Sequence, residues 1–220
     1  MRLNNNSIQR IRVNGEELEE VDSFTYLGSV VDKSGGTEAD ITARIGKARV
    51  AFIMMKKVWS SGTIQRRTKL RLFESCVKSV LLYGAETWRH TKGAVQRIQM
   101  FINGCLRRIL KIWWPRKITN QELWRLTNQS PVEQQIKRRK WRWLGHVLRK
   151  DNDNTTRQSL TWNPQGSRAR GRPKMNWRRG LMKEIQEAGM NWNEVCGRAM
   201  DRASWRSMID GLCTTGSDTA

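Results

Sequence analysis

The chain has 220 residues, of which 41 are Lys or Arg and 20 are Asp or Glu, for a net charge of +21. That length supports a real core in one domain or two small ones, and no apolar run approaches the ~18 residues that a membrane span needs. The four cysteines (Cys76, Cys105, Cys196, Cys213) stand singly beside only two histidines, which excludes the paired ligands of a zinc finger or knuckle. The charge is uneven: residues 1–40 hold 4 basic and 8 acidic side chains, and the remainder holds 37 and 12. A folded module with that self-repulsion is expected beside a polyanion, nucleic acid first among them, rather than on a membrane. The start, Met1-Arg2-Leu3-Asn4-Asn5-Asn6, has neither an apolar nor an arginine-rich presequence. An intracellular, reducing compartment is therefore expected, with Cys76 and Cys105 as small buried side chains on helices.

In chain order the pattern predicts a mainly α protein with a short N-terminal antiparallel β-ribbon. Ile8, Ile11 and Val13 lead into Asn14-Gly15, a type I′ hairpin signal. A second strand-like run, Phe24 to Val31, is rich in aromatic and β-branched residues and stops at Lys33-Ser34-Gly35-Gly36. So small a sheet is marginal alone, which suggests that something belongs in front of it. From Thr37 the period becomes helical, with Thr37 and Asp40 as a capping-box-like start and Ile41, Ile45, Ala48, Phe52 and Met55 on one face. Ser60-Ser61-Gly62-Thr63 breaks that helix. A second one ends near Tyr83-Gly84, and a third runs from about Ala94 to Ile112, stopped by Trp113-Trp114-Pro115.

Thr119 with Glu122, and Ser130 with Pro131 and Glu133, mark two further helix starts. In the second of these, Val132, Ile136, Trp143 and Val147 set the inward phase. That phase turns Trp141 about 200° away, onto the cationic side, as a base-stacking candidate. Residues 151–173 read as a polar segment that stays mobile until bound, followed by helices near 176–188 and 191–209 and a disordered tail from 211. The expected domains are 1–36, 37–115 and 116–210.

The stretch from Arg138 to Arg179 interleaves cations and tryptophans, interrupted by only two carboxylates before its end, Asp151 and Asp153. Guanidinium and ammonium groups attract phosphates, and indole faces offer surfaces for unpaired bases. The predicted nucleic-acid contacts here are Arg138, Arg139, Lys140, Trp141, Arg142, Arg149, Lys150, Arg168, Arg170, Arg172, Lys174, Arg178 and Arg179. Catalytic signals are few. Phosphodiester chemistry needs clustered carboxylates for divalent metal, whereas Asp151 and Asp153 read as a solvated turn. His90 and His146 lack a hydrolase arrangement, and Gly35-Gly36 and Gly171 lack a phosphate-loop frame. The expectation is no cofactor, no metal and no enzyme activity by this chain alone.

Phe24-Thr25-Tyr26-Leu27-Gly28-Ser29 resembles the primer-grip hairpin of reverse transcriptases from non-LTR (LINE-type) retrotransposons. Four further stretches are similar to the same family, in its order: Asp40 to Ala48, Leu81 to Trp88, Arg142 to Arg149, and Gly171 to Lys174 with Trp177. The resemblance implies a fragment: the last palm strands, a helical thumb to about Trp114 and a basic extension, the catalytic aspartates and the endonuclease lying upstream. It also implies that Tyr26, Leu27 and Gly28 rest against a primer end and that Lys47, Lys56, Lys57, Arg66 and Arg67 meet backbone phosphates, in a parent RNA-directed DNA polymerase working on an RNA–DNA hybrid. Two rival readings stand beside it, a self-standing helical DNA- or RNA-binding protein, such as a helix-turn-helix domain, and a structural helical bundle.

Overall fold

Asn14 and Gly15 both adopt positive φ (52° and 87°), the backbone that a type I′ turn demands, and they join β1 (Arg12–Val13) to β2 (Glu16–Glu17). Leu27 and Gly28 do the same (48° and 82°) between β3 (Ser23–Tyr26) and β4 (Ser29–Asp32), which pair antiparallel with Tyr26 opposite Ser29 and Phe24 opposite Val31. These two ribbons are separate sheets in a computed structural model that describes residues 11–33, 35–89, 91–161 and 176–214. Every later regular element among the described residues is a helix, as the periodicity predicts.

Helix α1 (Glu38–Met54) is followed by α2 (Lys56–Ser60), α3 (Arg66–Leu72), a π-helical segment (Phe73–Lys78) and α4 (Ser79–Leu81), with Gly84 in the left-handed region ending the run. Lys69 is buried and donates to the carbonyls of Trp59 (3.0 Å) and Ser61 (2.6 Å), so a cation satisfies the open C-terminal end of α2. Helix α5 (Lys92–Ile109) closes with Lys111 at φ 55°, and the Ile112 N–H donates to the Arg107 carbonyl at 2.9 Å. That left-handed cap, and not Pro115 farther on, stops the helix. Helix α6 (Asn120–Thr127) has Thr119 as its N-cap, accepting from the Glu122 N–H.

Helix α7 (Val132–Leu148) starts one residue after the expected proline position, and Ser130 does not cap it. The Val132 N–H instead donates to Gln99 Oε1 of α5 at 2.7 Å. After α8 (Thr155–Ser159) come α9 (Trp177–Glu187), α10 (Trp192–Met200) and α11 (Arg202–Thr214). Asn191 and Glu194 form the complete predicted capping box on α10. The chain from 211 is thus helical as far as Thr214, where composition suggested a disordered tail. Cys213 is buried there, and the low polarity of its neighbours Leu212 and Ile209 draws the last turn onto the core.

Two apolar clusters hold the helices. The first runs from Ile41 through Phe73, Leu106 and Leu123 to Ile136. The second holds Trp141, Leu144, Leu181, Val195, Trp205 and Ile209. Packing crosses the 115/116 boundary read from the sequence, and the clusters divide between Ile136 and Trp141, inside α7. That helix therefore belongs to both. Cys105 is buried as expected, and its thiol is pushed up to about 12 by desolvation. Cys76 is exposed, contrary to expectation, because the π-helical turn changes the angular step just where it sits. No described helix is long and apolar enough to cross a membrane.

Candidate nucleic-acid interface

The segment from Leu81 to Trp88 is where distant parts of the chain meet. Its Trp88 is buried, and the indole N–H donates to Asp40 Oδ2 of α1 at 2.8 Å. The other oxygen of Asp40 accepts from the Val30 N–H of β4 at 3.0 Å. One turn on, the Arg44 guanidinium lies 4.5 Å from the centre of the Tyr83 ring and donates to Ser29 Oγ at 3.0 Å. Arg139 of α7 donates to the Leu82 carbonyl at 3.2 Å, and Trp177 of α9 donates to the Glu86 carbonyl at 2.8 Å. The Trp177 ring meets Trp143 edge to face at 5.7 Å. Hairpin β3–β4, the first turns of α1, residues 81–88, α7 and Trp177 thus form one junction, and every described stretch that carries the family resemblance contributes to it.

Asp40 has a different role from the one its spacing suggests. Thr37 makes no side-chain cap, and Asp40 is not part of a capping box; it joins the hairpin to the helix. A carboxylate on the otherwise apolar side of a basic helix is the only sequence signal that pointed there. Asp40 and Arg44 are both 5% exposed and ion-paired at 3.7 Å. Removing the carboxylate leaves two donors and a buried guanidinium without it. Asp40→Ala is expected to raise the hydrogen-exchange rates of the β3–β4 amides by the equivalent of about 1–3 kcal/mol of local stability. The amides of α10 and α11 should keep theirs, and uniform loss across the chain would contradict a local bracing role.

The hairpin tip presents Tyr26 and Leu27, 63% and 75% exposed. Gly28 is there for the positive φ of the turn, since a Cβ would meet nothing closer than Arg44 at 3.7 Å. Its carbonyl accepts from Lys47 at 2.9 Å, so Lys47 braces the tip as well as adding charge. Lys56, Lys57, Arg66 and Arg67 are exposed on α2 and α3.

A cleft of about 280 Å³ lies between the π-helical segment and α7, and Arg138, Arg139 and Arg142 line it with Lys78, Gln129, Ser130 and the carboxylate of Glu74. Lys78 is 4% exposed and donates to Glu74 at 2.8 Å and to Gln129; burial pushes its pKa down. Arg138 also pairs with Asp210 at 3.4 Å. Three arginines thus converge on this concavity, while Lys78 is already engaged by Glu74.

Two predicted contacts move into the core. Trp141 is fully buried, its indole donating to Glu184 Oε2 at 2.8 Å, and Lys140 is 2% exposed and ion-paired with the same carboxylate. Neither reaches solvent to meet a base or a phosphate. The inward phase read from Trp143 and Val147 captured only part of a wide buried arc: α9 covers α7 on one side and α11 on another, and Trp143 itself is half-buried. Arg149 is half-buried and donates to the Ala199 carbonyl at 2.7 Å; burial lowers its pKa, with Arg202 and Arg206 adding to the effect. Lys150 and Arg179 are half-buried, while Arg178 is exposed and donates to the Thr161 carbonyl at 3.1 Å. Arg168, Arg170, Arg172 and Lys174 lie outside the described residues, as does His90. Among the described residues no group of three or more His, Cys, Asp or Glu is placed to hold a metal ion.

The chain is similar to a transposon-derived protein. That relative, from Caenorhabditis elegans and described as an uncharacterized transposon-derived protein, is 28% identical over 204 residues, which cover 88% of this chain and 72% of its own. The model of a domain of unknown function (DUF6451) matches residues 51–83, from the end of α1 to Tyr83. No solved structure matches.

Proposed function

We propose that this chain is the primer-grip, thumb and basic C-terminal part of a non-LTR-type reverse transcriptase, and that its work is to hold a template–primer duplex. The observation that carries this reading is the junction built on Asp40: motifs spread over more than half the chain, which resemble that family in its order, pack against one another. Similarity to a transposon-derived protein supports the same origin. Tyr26 and Leu27 at the hairpin tip face a primer end, while the cations of α2, α3 and the α7 cleft meet backbone phosphates, contacts that position without reading sequence. Nucleotide transfer belongs in this reading to palm aspartates ahead of the hairpin, so magnesium, nucleotides and a primed template give no extension product with this chain alone.

The test is binding of a labelled RNA–DNA hybrid across a salt series. With six or more phosphate contacts, affinity should fall roughly a thousandfold between about 50 and 200 mM salt. Random-sequence competitor should displace the hybrid. Retention of one duplex sequence under excess competitor would point instead to a sequence-reading helical domain. Negligible binding at low salt would leave only the structural bundle.

A further inference from the structure

Helix α5 gives way to a turn that leaves two tryptophans in water. Ile112 is buried and anchors the turn to the first core, and the Arg116 N–H donates to the Trp113 carbonyl at 2.9 Å, closing the chain over residues 113–116. On the far side Arg107 donates to Asn120 Oδ1 at 2.8 Å and to the Ile118 carbonyl at 3.5 Å. The turn is therefore fastened at both ends, yet Trp113 is 59% exposed and Trp114 82% exposed. Indole carries the largest apolar surface of any side chain, and the other eight described tryptophans all cover at least part of it: Trp59, Trp88, Trp141 and Trp205 are each 5% exposed or less, and Trp124, Trp143, Trp177 and Trp192 are half-buried. Two adjacent indoles held outward by a braced turn mark a surface made for contact.

The surrounding charge selects the kind of partner. Arg108, Lys111, Arg116 and Lys117, which flank the two tryptophans in sequence, are all exposed. No Asp or Glu occurs between Glu86 and Glu122, and Glu122 is already engaged by Arg125 through hydrogen bonds of 2.8 and 2.9 Å. Flat aromatic faces on a segment rich in exposed cations and free of carboxylates match a polyanion that has flat faces of its own. We infer that residues 108–117 form a platform for single-stranded nucleic acid, with unpaired bases stacking on Trp113 and Trp114 and phosphates held by the flanking cations. An anionic membrane could use the same two elements. It is the poorer fit, because the neighbouring aliphatic side chains Leu110, Ile112 and Ile118 are turned toward the core, leaving only the indole rings to enter a bilayer. The inference rests on the nucleic-acid reading above and adds to it a second site for unpaired strand, separate from the duplex grip of α2, α3 and α7.

The full chain and its Trp113→Ala/Trp114→Ala variant are compared for binding to oligo(rU), oligo(dT), a blunt duplex of equal length and phosphatidylserine vesicles. Loss of about tenfold affinity per indole for the single strands, with duplex affinity kept within about twofold, is the expected result. Trp113→Phe/Trp114→Phe should restore most of it, since phenylalanine also stacks. The two oligonucleotides report whether ribose or deoxyribose strands are preferred. Single-strand affinity untouched by the alanines, equal loss on the duplex, or loss confined to vesicles overturns the platform. If the unmodified chain binds no nucleic acid at all, the proposed function falls with it. If it binds duplex normally and only the single-strand effect is missing, the platform alone is wrong. Both tryptophans are exposed, so an unchanged melting temperature certifies the fold of each variant.

Discussion

Replacing Glu184 with alanine is expected to destabilise the C-terminal half of the protein by about 3–5 kcal/mol, the usual consequence of stranding a buried charge. The side chain of Lys140 is 3% exposed and that of Glu184 18% exposed, and the same carboxylate also accepts from the Trp141 indole at 2.8 Å. Removing it leaves an ammonium and an indole N–H inside the core with no acceptor. Desolvation offsets much of the attraction, so the pair itself is expected to contribute little net stability. Lys140→Met combined with Glu184→Leu should therefore recover most of the loss, and urea unfolding of the parent chain and the two variants distinguishes the cases. A double variant as unstable as Glu184→Ala would show that the pair contributes more than charge compensation.

The pH dependence has a definite sign. Burial lowers the pKa of Lys140, with Glu184 opposing the shift. A lysine whose folded pKa lies below its unfolded value sheds its proton first in the folded state, so stability rises with pH through the window between the two. The cost of burying the ammonium is fully present below that window. Lys78, also lowered by burial, acts in the same direction. Lys140→Met should thus show a smaller rise toward alkaline pH than the parent chain, and an identical rise in both would exclude Lys140 as a source.

Gly145→Ala is expected to cost about 1–3 kcal/mol, although alanine is intrinsically better in a helix by roughly 1 kcal/mol. A Cβ at Gly145 would lie 2.1 Å from Trp205 Nε1 and 2.6 Å from its Cε2. The indole cannot simply swing aside. It is 2% exposed, it donates to the Trp141 carbonyl at 3.1 Å, and its ring lies 5.7 Å from that of Trp141. Accommodating the methyl means displacing α11 from α7. The sign should reverse once the obstacle is gone: in a Trp205→Ala background, Gly145→Ala should be neutral or mildly stabilising. Thermal unfolding of the four proteins completes the cycle, and an equal cost in both backgrounds would show that the indole is not what forbids the side chain.

Much of the architecture follows from local pattern. Asn14-Gly15 specifies its hairpin because few residues tolerate two successive positive φ angles, and Thr119 and the Asn191–Glu194 pair mark helix starts because their side chains satisfy backbone N–H groups that the helix leaves open. Helical periodicity from Thr37 onward is equally local. The candidate interface was legible in part: Tyr26, Leu27, Arg139 and Arg142 are exposed where the pattern suggested, while Lys140 and Trp141 are not.

What the sequence determined by itself, then, is the identity and order of the elements and the strongly cationic composition. Tertiary structure decided which cations and indoles face water. A helix covered by one neighbour buries a single stripe that its spacing records. α7 passes through two apolar clusters and is covered on several sides, so Trp141 is enclosed and a lysine is drawn in beside it. Lys140 tolerates that position only because Glu184 arrives from 44 residues away, just as Asp40 is useful only because Val30 and Trp88 converge on it. Such partners are fixed by how the chain folds back on itself, and no local pattern encodes them.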